Sequence, residues 1–193
     1  MSSSENLTPL LPPLEALARL LLQFGDQGIV IGGIAASLLG KPRLTADLDA
    51  IYLLSTDQIP HFLETAAQVG ILPRIENAEE FARKNRILLL RHQGSNINID
   101  VSLGILPFEE EAVQRSQLLH IGSISLRLPT PEDLIILKAV AHRPKDMLDI
   151  QAIIENNPEL DRGRIELWVR QFAEALEIPE IWMDLDKILS QNQ

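Results

Sequence analysis

A chain of 193 residues with 46% hydrophobic content fits one globular domain, or a catalytic core with a small helical appendage, and has enough apolar mass to fill a core. A formal charge of −10 argues against a protein that coats nucleic acid with its whole surface, because such binding rests on Lys and Arg neutralising phosphates. The absence of cysteine excludes a disulfide framework, thiolate catalysis and cysteine-ligated zinc, and it fits a reducing cytoplasm. Aromatics make up only 4%, so the core must be built from Leu, Ile, Val and Ala, which suits helices packed on a sheet: the fold class expected is α+β. The first six residues lack the basic region of a signal peptide. The longest apolar stretch, Gly28 to Gly40, is shorter than the roughly 20 residues a bilayer requires. The expectation is a soluble, cytoplasmic protein with no membrane partner.

Residues 1 to about 12 are polar and then Pro-rich, and read as a loose lead-in. Leu14, Leu17, Ala18, Leu21 and Phe24 recur at helical spacing, and Gly25 to Gly28 ends that helix. Ile29-Val30-Ile31 is a short β-branched strand running into Gly32-Gly33 and then into a helix of small residues from Ile34 to Leu39. Thr45 to Leu54 reads as a strand, with Ser55-Thr56 capping a helix over 57–69. A helix near 77–84 leads to a strand over Arg86 to His92. After the turn Gln93-Gly94-Ser95-Asn96, Ile97, Ile99, Val101 and Leu103 alternate with Asn98, Asp100 and Ser102, which completes a hairpin with one apolar and one polar face. A short helix from Glu109 to Ser116 and a strand from Ile121 to Leu128 follow. Thr130-Pro131-Glu132-Asp133 then supplies an N-cap, a proline at the first helical position and an acidic N3 residue. Pro144, Pro158 and Pro179 divide the rest into helices near 131–142, 145–156, 162–176 and 180–190. The domain division expected is a core over 1–129 and a helical region over 130–193.

The strongest local signal is Gly32-Gly33 followed by Asp47-x-Asp49. Residues two apart in a strand point to one face, so both carboxylates aim at one region of space, where they repel unless a cation sits between them. Carboxylate oxygens are the ligands Mg²⁺ takes, in company with substrate phosphates. Asp100 lies on the polar face of its strand. If that strand neighbours the one bearing Asp47 and Asp49, three carboxylates converge, as two metal ions and an in-line attack at phosphorus require. The diglycine lets a backbone approach a ligand closely at the start of a helix, where amides favour anions. It is not a Walker P-loop, since Ala35 stands where that pattern needs its first glycine relative to Gly40-Lys41. Each feature also has an ordinary alternative: a solvated strand end, an amphipathic strand facing water, a tight strand-to-helix turn. Lys138 falls on the apolar stripe of its helix with Leu134, Leu137 and Ala141, so its ammonium must snorkel out or meet an anion. Asp146 and Asp149 share a helix face, where Arg143 and Lys145 are available to pair with them. Lys41, Arg43, Arg83, Lys84, Arg86 and Arg91 flank the carboxylate strands and suit either a groove for a phosphate-rich substrate or a solvated surface.

Gly32-Gly33, Arg43-Leu44-Thr45-Ala46-Asp47-Leu48-Asp49, Asp100, Thr130-Pro131-Glu132-Asp133-Leu134, Lys138 and Lys145-Asp146-x-x-Asp149-Ile150 together resemble the AbiEii-type branch of the polymerase-β-like nucleotidyltransferase superfamily, over roughly residues 28 to 155. The resemblance implies a minimal palm, a mixed sheet flanked by helices, followed by a helical C-terminal part. It implies Mg²⁺ in a two-metal site on Asp47, Asp49 and Asp100, and an NTP seated by Gly32 and Gly33 with Arg43 and Thr45 beside it. Lys138 and Asp146 line up with further functional positions. Gly33 stands where many transferases carry a serine, so the nucleotide contact which that serine makes is not assured by the resemblance. The activity implied is transfer of an NMP group from an NTP to an acceptor hydroxyl, with Asp100 helping to deprotonate the acceptor and Lys138 neutralising developing charge. The acceptor is open between tRNA or another nucleic acid, a protein and a small molecule. A toxin–antitoxin setting, with an antitoxin protein as partner, goes with the resemblance, while the acidic charge balance weighs against a nucleic-acid acceptor. The other reading is a non-catalytic nucleotide-binding or interaction module that keeps the fold.

Overall fold

The computed structural model describes residues 8–191, among which lie nine α-helices and seven β-strands. Contacts within the chain divide it into two compact units: the residues up to Ile34 together with Arg43–Leu128, and Ala35–Pro42 together with the residues from Pro129 on.

The first unit opens with a single 3₁₀ turn, Thr8–Leu10, and helix α1 (Leu11–Gln23). The helix starts earlier than the expected lead-in allows, because Pro12 sits in its first turn, where a missing N–H leaves no hydrogen bond unmade. The polar residues before Thr8, including those on which the absence of a signal peptide was argued, lie outside the described residues. A five-stranded sheet follows, from β1 (Gly28–Ile31), β2 (Asp47–Tyr52), β3 (Ile71–Pro73), β4 (Ile87–His92) and β5 (Asn98–Leu103), in the order β1-β2-β5-β4-β3. The β2–β5 pair is parallel and every other pair is antiparallel. Helix α2 (Gly32–Leu39) leaves β1 without a break, and α3 (Ile59–Gln68), α4 (Ala78–Asn85) and α5 (Pro107–Gln114) fill the later connections.

The sheet has two unlike faces. Along β2, β5 and β4 the residues Leu48, Ala50, Tyr52, Ile99, Val101, Leu103, Leu88 and Leu90 are buried, while their neighbours in the pleat stay half exposed, save Ile51, which is buried, and Arg91, which is exposed. On the buried face Tyr52 meets Phe24 and Phe62 at ring-centroid distances of 5.9 and 5.8 Å, and those two rings lie 5.1 Å apart, so the end of α1 and α3 both close over it. The half-exposed face carries Asp47, Asp49, Asn98 and Asp100. Arg86, in the left-handed conformation at φ 56, caps the end of α4 and sends its guanidinium to the carbonyls of Leu54, Leu103 and Gly104. It therefore ties the ends of β2 and β5 together and does not contribute to a basic groove.

The strand expected over Ile121 to Leu128 is two strands, β6 (Gln117–Ile121) and β7 (Ile124–Leu128), paired as a separate hairpin. Its first strand is largely exposed, so no buried alternation announces it. Strand β3 is likewise absent from the sequence reading, being only three residues long.

The second unit holds the C-terminal end of α2 and four helices, α6 (Pro131–Ala141), α7 (Pro144–Asn156), α8 (Arg162–Ala175) and α9 (Glu180–Gln191). Its helix starts follow the sequence. The Thr130 hydroxyl accepts from the Asp133 amide at 3.3 Å, and the Asp161 carboxylate accepts from the Arg164 amide at 2.9 Å. Leu134, Ile135, Ile150, Ile153, Ile165 and Leu185 are buried among these helices.

Candidate active site

Strand register brings the carboxylates together. In the parallel β2–β5 pair Asp49 lies opposite Asp100 and Asp47 opposite Asn98, and partners in register share a face. Neighbouring strands run about 4.8 Å apart, so the Asp49 and Asp100 side chains emerge next to each other on the half-exposed face. On the other side of Asp49 stands Ile31, the last residue of β1, from which the chain turns into α2. Gly32 makes that turn at φ 68, in the left-handed region, and a Cβ placed on it would meet Asp49 Oδ2 at 2.0 Å. Only glycine allows the Asp49 carboxylate to lie against the backbone there. A Cβ on Gly33 would meet the Thr45 hydroxyl at 2.5 Å and the Arg43 guanidinium at 3.3 Å, so these two side chains occupy the space beside the diglycine. The Thr45 hydroxyl lies 3.1 Å from Asp47 Oδ1, to which it donates. Gly32, Gly33, Arg43, Thr45, Asp47, Asp49 and Asp100 thus all belong to one unit, with the amides of a helix N-terminus at one flank of the carboxylate row.

The other flank holds a residue that sequence reasoning missed. The Arg74 amide donates to the Leu89 carbonyl at 3.0 Å, which extends the β3–β4 ladder by one residue, and Leu89 is the register partner of Asp100. Arg74 therefore falls in the same row across the sheet. Its guanidinium grips Asp100 with both nitrogens, Nη1 to Oδ1 at 2.7 Å and Nη2 to Oδ2 at 3.2 Å. The pair is mostly shielded, with side-chain exposures of 19% and 28%. The signal for Arg74 was a three-residue strand, Ile71-Leu72-Pro73, too short to place by periodicity.

Lys138 and Asp146 lie in the second unit. The Lys138 ammonium meets anions inside that unit, donating to Asp149 Oδ2 at 2.7 Å and to Asp146 Oδ1 at 3.1 Å, and all three side chains are buried. Burial acts to raise the Asp146 carboxyl, but the hydrogen bond from Arg143 and the charge of Lys138 more than offset it and hold its pKa below the usual aspartate value. Of the basic residues flanking the strands in sequence, Arg83 pairs with Glu79, Arg91 donates to Asn98, and Lys41, in the second unit, pairs with Glu155.

The donor chemistry on the sheet is all oxygen. Asp47 and Asp49 fit the manner in which Mg²⁺ is usually held, through one or two carboxylates completed by water and substrate phosphates. Among the described residues no group of three acidic or histidine side chains stands close enough together to form a metal cage by itself. Nor is any described helix long and apolar enough to cross a membrane.

Residues 11–161 match the family described as nucleotidyltransferase of unknown function, DUF6036. No curated protein matches the chain in sequence. In fold the chain is similar to the antibiotic-resistance factor ANT(2'')-Ia, at a TM-score of 0.57 and 14% identity over 93% of this chain and 97% of that one. It is also similar to an antigenic nucleotidyltransferase-like protein from Paracoccidioides brasiliensis, at a TM-score of 0.54 and 17% identity over 91% of this chain and 92% of that one. The mixed five-stranded sheet flanked by helices, with its carboxylates in register beside a diglycine turn, is a nucleotidyltransferase fold, and the chain belongs to the DUF6036 family.

Proposed function

We propose that the chain is a magnesium-dependent nucleotidyltransferase that moves an NMP group from an NTP to an acceptor hydroxyl and releases pyrophosphate. The observation that carries this reading is the register of Asp49 beside Asp100, with Asp47 on the same half-exposed face and the Gly32-Gly33 turn against Asp49. Asp47 and Asp49 would hold Mg²⁺, which would supply Lewis acidity toward the triphosphate. The N-terminus of α2 favours the phosphate oxygens, and the absence of a side chain on Gly32 makes room for the Asp49 carboxylate against the backbone beside it. Thr45 holds Asp47 through its hydroxyl, and Arg43 offers a cation next to Gly33. The acceptor oxygen bonds to the α-phosphorus as the bond to the β-phosphate oxygen breaks, and the acceptor proton passes to Asp100. Lys138 and Asp146, buried together, are assigned to holding the helical unit.

The AbiEii-type resemblance supports a nucleic-acid acceptor and a toxin role with an antitoxin protein as partner, exerted in the cytoplasm. The fold similarity to an antibiotic-resistance factor keeps a small-molecule acceptor in the test. A second reading, a non-catalytic nucleotide-binding module, is favoured by one observation: both Asp100 oxygens are already held by Arg74. The deciding experiment incubates the protein with each α-labelled NTP, Mg²⁺, and separate RNA, protein and small-molecule pools. Label is expected in one pool and absent with chelator. Mg²⁺-dependent NTP binding with no labelled pool would favour the binding module. Failure to bind any NTP at millimolar concentration by calorimetry would overturn both readings.

A further inference from the structure

The half-exposed face of the sheet changes chemistry across its width. At the β1 edge it meets the start of α2, on β2 and β5 it carries Asp47, Asp49, Asn98 and Asp100, and on the β4–β3 side it carries Leu89, Arg91, Leu72 and Arg74. Arg91 is the register partner of Asn98, which makes it the diagonal neighbour of Asp100, about 7–8 Å away. Its Nε donates to Asn98 Oδ1 at 3.0 Å, and its Nη1 and Nη2 make no hydrogen bond or ion pair among the described residues. In a chain with 27 acidic residues, this guanidinium is paired with none of the described ones. Beyond it the face opens into a groove of about 640 Å³, lined by Leu72, Arg74, Arg91, Gln93 and Asn96, with Glu76 the acidic residue of its lining. That volume falls in the range of small-molecule sites, roughly 300–1,000 Å³. The charge of Arg74 is matched by Asp100, so Arg91 brings the unmatched positive charge.

In the reaction proposed above the triphosphate lies at the α2 end of the carboxylate row. An in-line displacement puts the attacking oxygen opposite the departing one, so the acceptor comes in from the β4–β3 side, over this groove. We propose that the groove is the acceptor subsite, and that the acceptor is a small molecule carrying one phosphate, which Arg91 receives through Nη1 and Nη2. The acceptor's hydroxyl oxygen bonds to the α-phosphorus as the bond to pyrophosphate breaks, and its proton passes to Asp100. A guanidinium held by its Nε presents its two remaining nitrogens side by side, a fork that matches two phosphate oxygens. One unmatched cation suits one phosphate, whereas a polynucleotide binds through many and finds no row of cations along this lining. This inference rests on the transferase reading and names its acceptor.

The test runs the labelling assay on the full chain with the small-molecule pool in two halves, one untreated and one dephosphorylated by a phosphatase that is then removed, beside the RNA and protein pools. Label is expected in the untreated half and lost from the treated one. Arg91→Ala should raise the pool concentration that gives half-maximal labelling about 10- to 100-fold, the loss of charge-assisted hydrogen bonds to the acceptor, while Mg²⁺-dependent NTP binding by calorimetry keeps its wild-type value. Arg91→Lys, which keeps the charge without the fork, should fall between the two. Label that survives the phosphatase, label confined to the RNA or protein pool, or an Arg91→Ala variant with the wild-type concentration dependence would each overturn the inference and leave the transferase reading standing. If Arg91→Ala does not fold, the phosphatase comparison and Arg91→Lys still decide. NTP binding with no pool labelled overturns the transferase reading itself, and this inference with it.

Discussion

Replacing Lys138 by methionine is expected to destabilise the helical unit by about 3–5 kcal/mol at neutral pH, the cost of taking the ammonium from buried Asp149 and leaving buried Asp146 to Arg143 alone. Asp146 and Asp149 share that ammonium at 3.1 and 2.7 Å, and Asp149 receives it by the shorter bond. The chain has two tryptophans, Trp168 in α8 and Trp182 in α9, so their emission in a denaturant titration reports on this unit directly. The effect depends on pH in a definite direction. The Asp146 pKa is held below its ordinary value, so in the wild type its contribution is complete above the unfolded value of about 3.9 and is lost as pH falls through the lower folded value. Without Lys138 the Asp146 carboxyl loses one of the two cations that hold its pKa down, and the gap between variant and wild type should narrow as pH falls from 7 toward 4. A gap that stays constant over that range would show that the ammonium is not what holds them. Adding Asp149→Leu to Lys138→Met should recover part of the loss, since removing both partners of a buried pair costs less than removing one.

Asp49→Asn should separate stability from activity. If the site transfers nucleotide as proposed, losing this carboxylate removes several kcal/mol of transition-state stabilisation, and transfer of label should fall by about a thousandfold or more. Stability should change by less than about 1 kcal/mol, because the side chain keeps its volume against Gly32 and a charge facing Asp100 is gone. Thermal unfolding and the labelling assay, run on the same preparation, check both halves. A variant that unfolds, or one that transfers at the wild-type rate, would show that Asp49 is there for the fold.

What could be read in the sequence was what repeats. The alternation from Ile97 to Leu103 announced both the strand and the face of Asp100, and the two-residue spacing of Asp47 and Asp49 announced theirs. That β5 lies beside β2 was a condition the sequence could state but not meet, since parallel neighbours are chosen by packing across a crossover of some length. Arg74 was illegible because its strand is three residues long and its partner is 26 residues away. The first strand of the terminal hairpin was missed for a related reason, its residues being largely exposed. The stripe on α6 showed that Lys138 must snorkel out or meet an anion, and the carboxylates that meet it were singled out as a pair on one helix face. Nothing in the spacing joined the two statements, because they are made on separate helices brought together by the core.

The crowding beside the diglycine turn has an evolutionary side. Because the Thr45 side chain fills the space that a Cβ on residue 33 would need, the two positions hold one side chain between them. A serine at 33 would evict Thr45, and a small residue at 45 would open room for that serine. Across relatives the two sites should therefore change together, a larger residue at one accompanying a smaller residue at the other, so that either position can bring a hydroxyl to the same corner of the site. Substituted one at a time they should look intolerant, and substituted as a pair, permissive.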